Sequence, residues 1–352
     1  MPKKTVAAIL SAAAFATLSP LAVDAQAKTH DAFQWTASAP LITAAQLGAS
    51  GYYGVKDPSV VFADGEYHVF MTTAGEHGWG LAYTSFSDWS QASSSPITPL
   101  DHSGIGQGYR AAPEVFYFAP QRRWYLIYQG GDPMFSTSEN IDDPTSWTAP
   151  KPFFAAIPDV VKQAPGGGWL DFWIICDSAK CYLFFTNDGG DFFRAETSLS
   201  DFPNGFHNTQ RVLHGARRDD VFEASNTYKI KGAQAYITLV EAIGPKGRYF
   251  RIWKSDRLDG EWTPVGGEMN VFASADNVQF TGAVWSEGVS HGEMVRSGMD
   301  QTLTIDPCQP LQFLFQGLDP KGKTSDYIRL PYRLGLLTAA KANPISRMCG
   351  RR

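Results

Sequence analysis

Along most of this chain, short apolar runs come in pairs, each pair joined by turn residues. Val60-Val61-Phe62 leads through Asp64-Gly65 to Tyr67-His68-Val69-Phe70. Val115-Phe116-Tyr117-Phe118, the turn Pro120-Gln121-Arg122 and Trp124-Tyr125-Leu126-Ile127-Tyr128 repeat the arrangement. A third pair is Phe172-Trp173-Ile174-Ile175 with Cys181-Tyr182-Leu183-Phe184-Phe185, and a fourth joins Ser225-Asn226-Thr227-Tyr228 to Tyr236-Ile237-Thr238-Leu239-Val240. Runs of β-branched and aromatic residues bounded by Asp, Gly and Pro read as strands in tight hairpins. No helical period dominates any part of the chain, so an all-β protein is expected.

The pairs are copies of one unit, each opened by an acidic residue: Asp57, Glu114, Asp171 and Glu223. Their spacing of roughly 55 residues leaves room for a four-stranded sheet with its loops, the unit of a β-propeller. A fifth unit is expected near Ser290-His291-Gly292-Glu293, ahead of strands at 311–315 and 332–337. The reading is a five-bladed β-propeller over residues 28–352 as one domain. The first strand of each blade would line a central channel, which brings Asp57, Asp171 and Glu223 together at its mouth. A lone acid at a strand end is ordinarily a turn or cap group; the shared phase sets these three apart.

Composition supports the pattern: 10 Trp, 14 Tyr and 23 Phe favour strands, and 33 Gly and 22 Pro supply turns. A formal net charge of −5 argues against nucleic acid, which calls for clustered cations. Arg217-Arg218 and Arg351-Arg352 read as solvated surface. At the N-terminus, Lys3 and Lys4, the apolar run Thr5 to Val23 and the small-x-small Ala25-Gln26-Ala27 form a signal peptide over residues 1–27. A secreted, extracellular protein is expected, and no later stretch has the roughly 18 apolar residues of a membrane helix. The 4 cysteines of an exported chain should be paired. Three connectivities are open; Cys176 with Cys181 across a hairpin turn, and Cys308 with Cys349 tying down the tail, are the expected pair. No ligand spacing suggests zinc.

Hydrolysis of a glycosidic bond needs one carboxylic acid to protonate the leaving oxygen and one carboxylate to activate water or attack the sugar. Acids on different blades suit the wider spacing of an inverting enzyme, with a water between them. Their proton affinities must diverge, and a third carboxylate near the acid raises its pKa; Asp171 is assigned that part. Lys56, beside Asp57, would keep a base ionised and hold a sugar hydroxyl, against the plain reading of a solvated lysine. Arg110 would bind a hydroxyl or fix a carboxylate, and Glu114 is expected to pair with such an arginine. Glu241 rivals Glu223 for the acid role. His291, Glu293 and Asp300 are a weak metal signal, with a hydrogen-bonded core histidine the plainer reading; a cation in the channel would be structural or electrostatic, and calcium fits oxygen ligands and water. Residues 93–108 read as a long irregular loop shaping a cleft rim. Gly317–Thr324 matches a P-loop pattern and Gly288–Gly292 a nucleophile elbow, but neither has room for the helix its motif requires.

Six segments then carry a resemblance: Lys56-Asp57-Pro58-Ser59-Val60-Val61, Gly108-Tyr109-Arg110-Ala111-Ala112-Pro113, Asp171 to Asp177, Phe222-Glu223-Ala224-Ser225-Asn226, Val240-Glu241-Ala242-Ile243-Gly244 and Ser290 to Gly298. In this order they resemble glycoside hydrolase family 62, the α-L-arabinofuranosidases acting on arabinoxylan, from Phe33 to Thr338. The resemblance implies an inverting mechanism with Asp57 as general base, Glu223 as general acid and Asp171 as the residue that tunes the acid. It implies that Lys56 and Arg110 contact arabinose and that His291 lies near a calcium ion. Tyr327 is available to stack on a sugar ring. Ile328, Asp132 and Gly80 stand where the family often has Asn, so contacts to the xylose backbone are expected to differ there. The expected partner is an arabinose-substituted polysaccharide, with no nucleic acid, membrane or partner subunit. Two alternatives are a related five-bladed β-xylosidase or arabinanase, and a non-catalytic polysaccharide-binding propeller.

Overall fold

The structure, a computed structural model, describes residues 32–267 and 270–350. The expected signal peptide, residues 1–27, lies outside the described residues. Five sheets form a five-bladed β-propeller, as the repeat implied. The innermost strands are Tyr52–Ala63, Ala111–Phe118, Leu170–Cys176, Glu223–Ile230 and Ser290–Met294, one per blade. Blades one to three are four-stranded antiparallel meanders, in which sequential hairpins place each strand beside its predecessor.

Blade five is assembled from both ends of the described chain. Trp35–Ala37 pairs antiparallel with Tyr332–Ala339 and parallel with Val278–Phe280, so a strand from the N-terminal side completes a sheet built by the C-terminal side. Trp35 locks this closure: it is 1% exposed, its indole N–H donates to the Phe272 carbonyl at 2.7 Å, and its ring packs edge-on against Phe272. The packing between blades is strongly aromatic, with Phe184, Phe185, Phe192, Phe193 and Trp173 fully or almost fully buried in one continuous core. Flat rings suit these sheet-on-sheet contacts because they cover wide areas with little rotamer entropy.

Both expected disulfides are formed, Cys176–Cys181 and Cys308–Cys349. The first joins residues directly opposed in a hairpin; the second ties the C-terminal segment to the turn at Asp306–Cys308. The P-loop look-alike is a strand end followed by the short 3-10 turn Pro320–Gly322, and the nucleophile-elbow look-alike runs into the strand Ser290–Met294.

Candidate active site

Each innermost strand carries the same irregularity. Its register with the second strand slips by one residue between Lys56 and Ser59, Ala111 and Glu114, Leu170 and Trp173, Glu223 and Asn226, and Ser290 and Gly292. In the first four blades one bulged residue is left-handed: Asp57 (φ 47), Ala112 (φ 50), Asp171 (φ 55) and Ala224 (φ 54). That conformation costs a non-glycine residue on the order of 1 kcal/mol or more. A bulge re-aims the side chains at its position, so the cost is tolerated where it places a functional group.

The bulges correct the phase read from sequence. Asp57, Ala112, Asp171 and Ala224 are equivalent, Glu223 stands one residue earlier, and Glu114 falls two residues further along, level with Ser59. Glu114 is fully buried, and its Oε2 accepts from the Ile174 N–H at 2.6 Å. It does not pair with Arg110. Its charged neighbours are Glu293 and Arg296, whereas Arg110 donates to the carbonyls of Tyr109 at 2.7 Å and Ile105 at 3.5 Å.

The bulges are also tied to one another around the propeller. The second-strand residues facing the positions just before them are Thr72, Gln129, Thr186, Glu241 and Gln316. Thr72 Oγ1 accepts from Ala112 N–H at 2.8 Å, Gln129 Oε1 from Asp171 N–H at 2.6 Å, Glu241 Oε2 from His291 N–H at 2.7 Å, and Gln316 Oε1 from Asp57 N–H at 2.8 Å. Thr186 makes no such bond; in its blade Asp171 itself accepts from Ala224 N–H at 2.8 Å. Every blade thereby holds the bulge of the next. Glu241, the rival for the acid role, belongs to this ring and is fully buried.

His291, in the blade-five bulge, gathers two of the acids. Its Nδ1 lies 3.2 Å from Asp57 Oδ1 and 3.9 Å from Asp171 Oδ2. Burial alone would raise Asp57, but the charges of Lys56 and His291 prevail and hold its carboxyl well below the usual range. Burial likewise opposes a charged imidazole, yet Asp57 and Asp171 bring His291 up to about 9. Asp171 moves the other way: burial, with the nearby charges of Glu223 and Asp57, outweighs His291 and pushes it up to about 7. Two neighbouring carboxyls are thus driven apart, Asp57 towards the anion and Asp171 towards the acid.

Lys56 is buried and not a solvated lysine. Its ammonium is 3.7 Å from Asp57 Oδ1, donates to Tyr327 Oη at 3.1 Å, and stands over the rings of Trp79, Tyr327 and Tyr332 at 4.7, 4.9 and 5.3 Å. Burial disfavours the ammonium, but Asp57 and the tyrosines keep it firmly protonated. Tyr327 leaves 47% of its surface exposed above this cage.

Glu223 is 17% exposed and forms an ion pair with Arg248, which also pairs with Glu241. Asp188, on the loop of blade three, lies close enough to feel Glu223, and burial chiefly lifts it to about 6. Arg248, Asp188, Trp79, Tyr332 and the glutamines of the ring escaped the sequence reading. Gln129 and Gln316 carried no signal in the sequence, since only the ladder shows that each faces a pre-bulge position. Arg248 had none either, since it sits on a third strand whose register follows only from the fold. Residues 93–108 are not one irregular loop, since Thr98–Pro99 form the outer strand of blade one; Ile105–Gly108, with Trp79 and Asp101, line a cavity of about 490 Å³.

Calcium prefers six to eight oxygen ligands. Around His291 the protein offers the carboxylates of Asp57 and Asp171, while Glu293 is turned to Ser59, Val60 and Arg296 and Asp300 caps Thr302. Among the described residues no group of three or more His, Cys, Asp or Glu side chains is placed to hold a metal ion. The side chains alone do not form a calcium cage.

The chain is similar to known proteins over most of its length. The model of glycosyl hydrolase family 62 matches residues 34–338. A curated relative, "Alpha-L-arabinofuranosidase C" of Cellvibrio japonicus, is 38% identical over 311 residues, covering 88% of this chain and 47% of its own length. The chain therefore spans about half the length of the curated relative it matches. Among solved structures, the catalytic domain of a family 62 α-L-arabinofuranosidase from Coprinopsis cinerea superposes with a TM-score of 0.83 at 48% identity, covering 88% of this chain and 97% of that one. An α-L-arabinofuranosidase from Podospora anserina in complex with cellotriose gives a TM-score of 0.83 at 42% identity, covering 89% and 98%.

Proposed function

This chain belongs to glycosyl hydrolase family 62, and from that premise we propose that it is a secreted, inverting α-L-arabinofuranosidase that removes arabinofuranosyl branches from arabinoxylan. The observation that carries the proposal is the gathering of Asp57, Asp171 and Glu223 from three blades: one imidazole lies beside both aspartates, and Asp171 holds the backbone N–H that follows Glu223. The site is assigned to the mouth of the central channel.

In the proposed reaction Asp57, kept anionic by Lys56 and His291, takes a proton from a water. That oxygen forms the new bond to the anomeric carbon as the glycosidic bond breaks, and Glu223 gives its proton to the departing xylose oxygen. Asp171 supports the acid electrostatically and fixes its strand. Lys56 and Arg110 are assigned to the arabinose, and Tyr327, with Trp79 beside it, to the polymer. A calcium ion near His291, if bound, would draw its ligands largely from water and add a fixed positive charge; metal analysis of the purified protein tests this.

The family match favours neither a β-xylosidase nor an arabinanase, and a lectin-like propeller has no need of carboxyls driven apart. Incubation with arabinoxylan followed by sugar analysis is the test. Free arabinose is expected as the sole small product, with losses of about 10³-fold or more in Asp57→Ala and Glu223→Ala. Xylo-oligosaccharides as the main product would refute the assignment.

A further inference from the structure

Arg248 has no part in a two-carboxylate reaction, yet it is the direct partner of Glu223. Glu223 and Glu241 are opposed across neighbouring strands, where two like charges repel. Arg248 enters from the third strand and pairs with both. Its guanidinium lies 5.0 Å from the Phe222 ring, which Arg218 also approaches at 5.1 Å.

The two partners of Arg248 differ in kind. Glu241 is fully buried and fixed by Ser290 Oγ at 2.9 Å and His291 N–H at 2.7 Å. Ser290 Oγ in turn accepts from Gln316 Nε2 at 3.0 Å, and Gln316 Oε1 receives the Asp57 N–H at 2.8 Å. Glu223 is partly exposed, and among the described residues its carboxylate has Arg248 as its one hydrogen-bond partner. The other charged or titratable groups facing this cluster are Asp171, Asp188, Arg218, His291, Tyr327 and Tyr332.

A guanidinium does not release its proton, so Arg248 can position an acid but cannot supply the proton an acid gives. We infer that Glu241 and Arg248 are a positioning pair for Glu223: Glu241 holds the guanidinium when Glu223 carries its proton, and Arg248 receives Glu223 once the proton has gone. Gln316 and Ser290 extend the same chain of contacts to the backbone of Asp57, so acid and base are set by one connected network. The inference rests on Glu223 being the acid, as proposed above.

The test is Glu241→Gln, which keeps an acceptor for Ser290 and His291 but removes the charge, leaving Arg248 to Glu223 alone. Release of arabinose from arabinoxylan needs a protonated leaving group, whereas 4-nitrophenyl α-L-arabinofuranoside releases a phenolate unaided. The expected result is a fall in kcat of roughly 100-fold on arabinoxylan, within the range of general acid catalysis, with a much smaller fall on the nitrophenyl substrate and little change in KM. Equal losses on both substrates would overturn the inference. Should Glu241→Gln fail to fold, Ser290→Ala loosens Glu241 and should show the same asymmetry at smaller size; equal losses there would overturn it too. Glu223→Gln separates the two readings. If it lacks the asymmetry, the acid assignment falls; if it shows the asymmetry and Glu241→Gln does not, only the positioning pair falls.

Discussion

Replacing Lys56 by Met removes one charge while leaving a stem of similar length against Trp79, Tyr327 and Tyr332. In the wild type the ammonium lies 3.7 Å from Asp57 Oδ1 with both groups buried. At an effective dielectric of about 20, that separation corresponds to roughly 4 kcal/mol of attraction, equivalent to about three pH units at most. His291 remains, so Asp57 should stay below its unburied range by less than before and not lose all its depression. Because Asp57 is the proposed base, activity needs it ionised and is lost as pH falls through its pKa. The acidic limb of kcat/KM on 4-nitrophenyl α-L-arabinofuranoside should therefore move to higher pH, by up to about three pH units, in the variant. Loss of the cation–π contacts should also cost about 1–2 kcal/mol of stability. A Lys56→Met enzyme that is weaker at every pH but keeps its acidic limb would refute the electrostatic role, leaving Lys56 as a ligand for sugar alone.

Other expectations concern the frame and the charges. Trp35→Ala removes the ring that locks the closing strand and should lower the unfolding free energy by about 3–5 kcal/mol, measured by denaturant titration, with the blade-five amides losing hydrogen-exchange protection first. Cys349→Ala opens a 41-residue separation, which a chain-entropy model values at about 4 kcal/mol; an unchanged melting temperature would mean the tail is held by packing instead. His291 is raised to about 9, so its contribution to stability is fully present below pH 6.5 and lost as pH rises towards 9. Asp171, raised to about 7, is destabilising once ionised and gives a separate decline at lower pH, since the folded state binds the extra proton between about pH 4 and 7. Melting temperatures should therefore fall between pH 6.5 and 9, and the fall should shrink in His291→Gln. Tyr327→Ala should raise KM for arabinoxylan several-fold while sparing the nitrophenyl substrate; an equal effect on both would place Tyr327 at the arabinose.

The propeller was legible because its repeat is written in strands, turns and spacing, which a single chain displays directly. Asp57, Asp171 and Glu223 were legible for the same reason, as leading residues of repeated units. The position of Glu114 was not, because a one-residue bulge shifts the phase without altering the hydrophobic pattern, and only the ladder shows which residue is inserted. The pairing of Trp35–Ala37 with Val278–Phe280 joins segments far apart in the chain, with too short a strand to announce itself. Glu241 was legible as a rival acid but not as the partner of Arg248, and Arg248 was hidden altogether, because with Glu223 they lie on three neighbouring strands, where register and side-chain direction together decide contact. Lys56 looked equally like a surface residue, since nothing local reveals three aromatic rings converging from elsewhere.

The repeated bulge gives the active face a modular grammar. Asp57 and Asp171 occupy two equivalent stations, while Ala112 and Ala224 occupy two more with nothing beyond a methyl group. Those alanines already sit in a backbone geometry that aspartate and asparagine tolerate, but both are buried, so the mould has borne its backbone cost there without leaving a free pocket. A polar group installed there would need a buried hydrogen-bond partner before it could join the chemistry of Asp57 and Asp171.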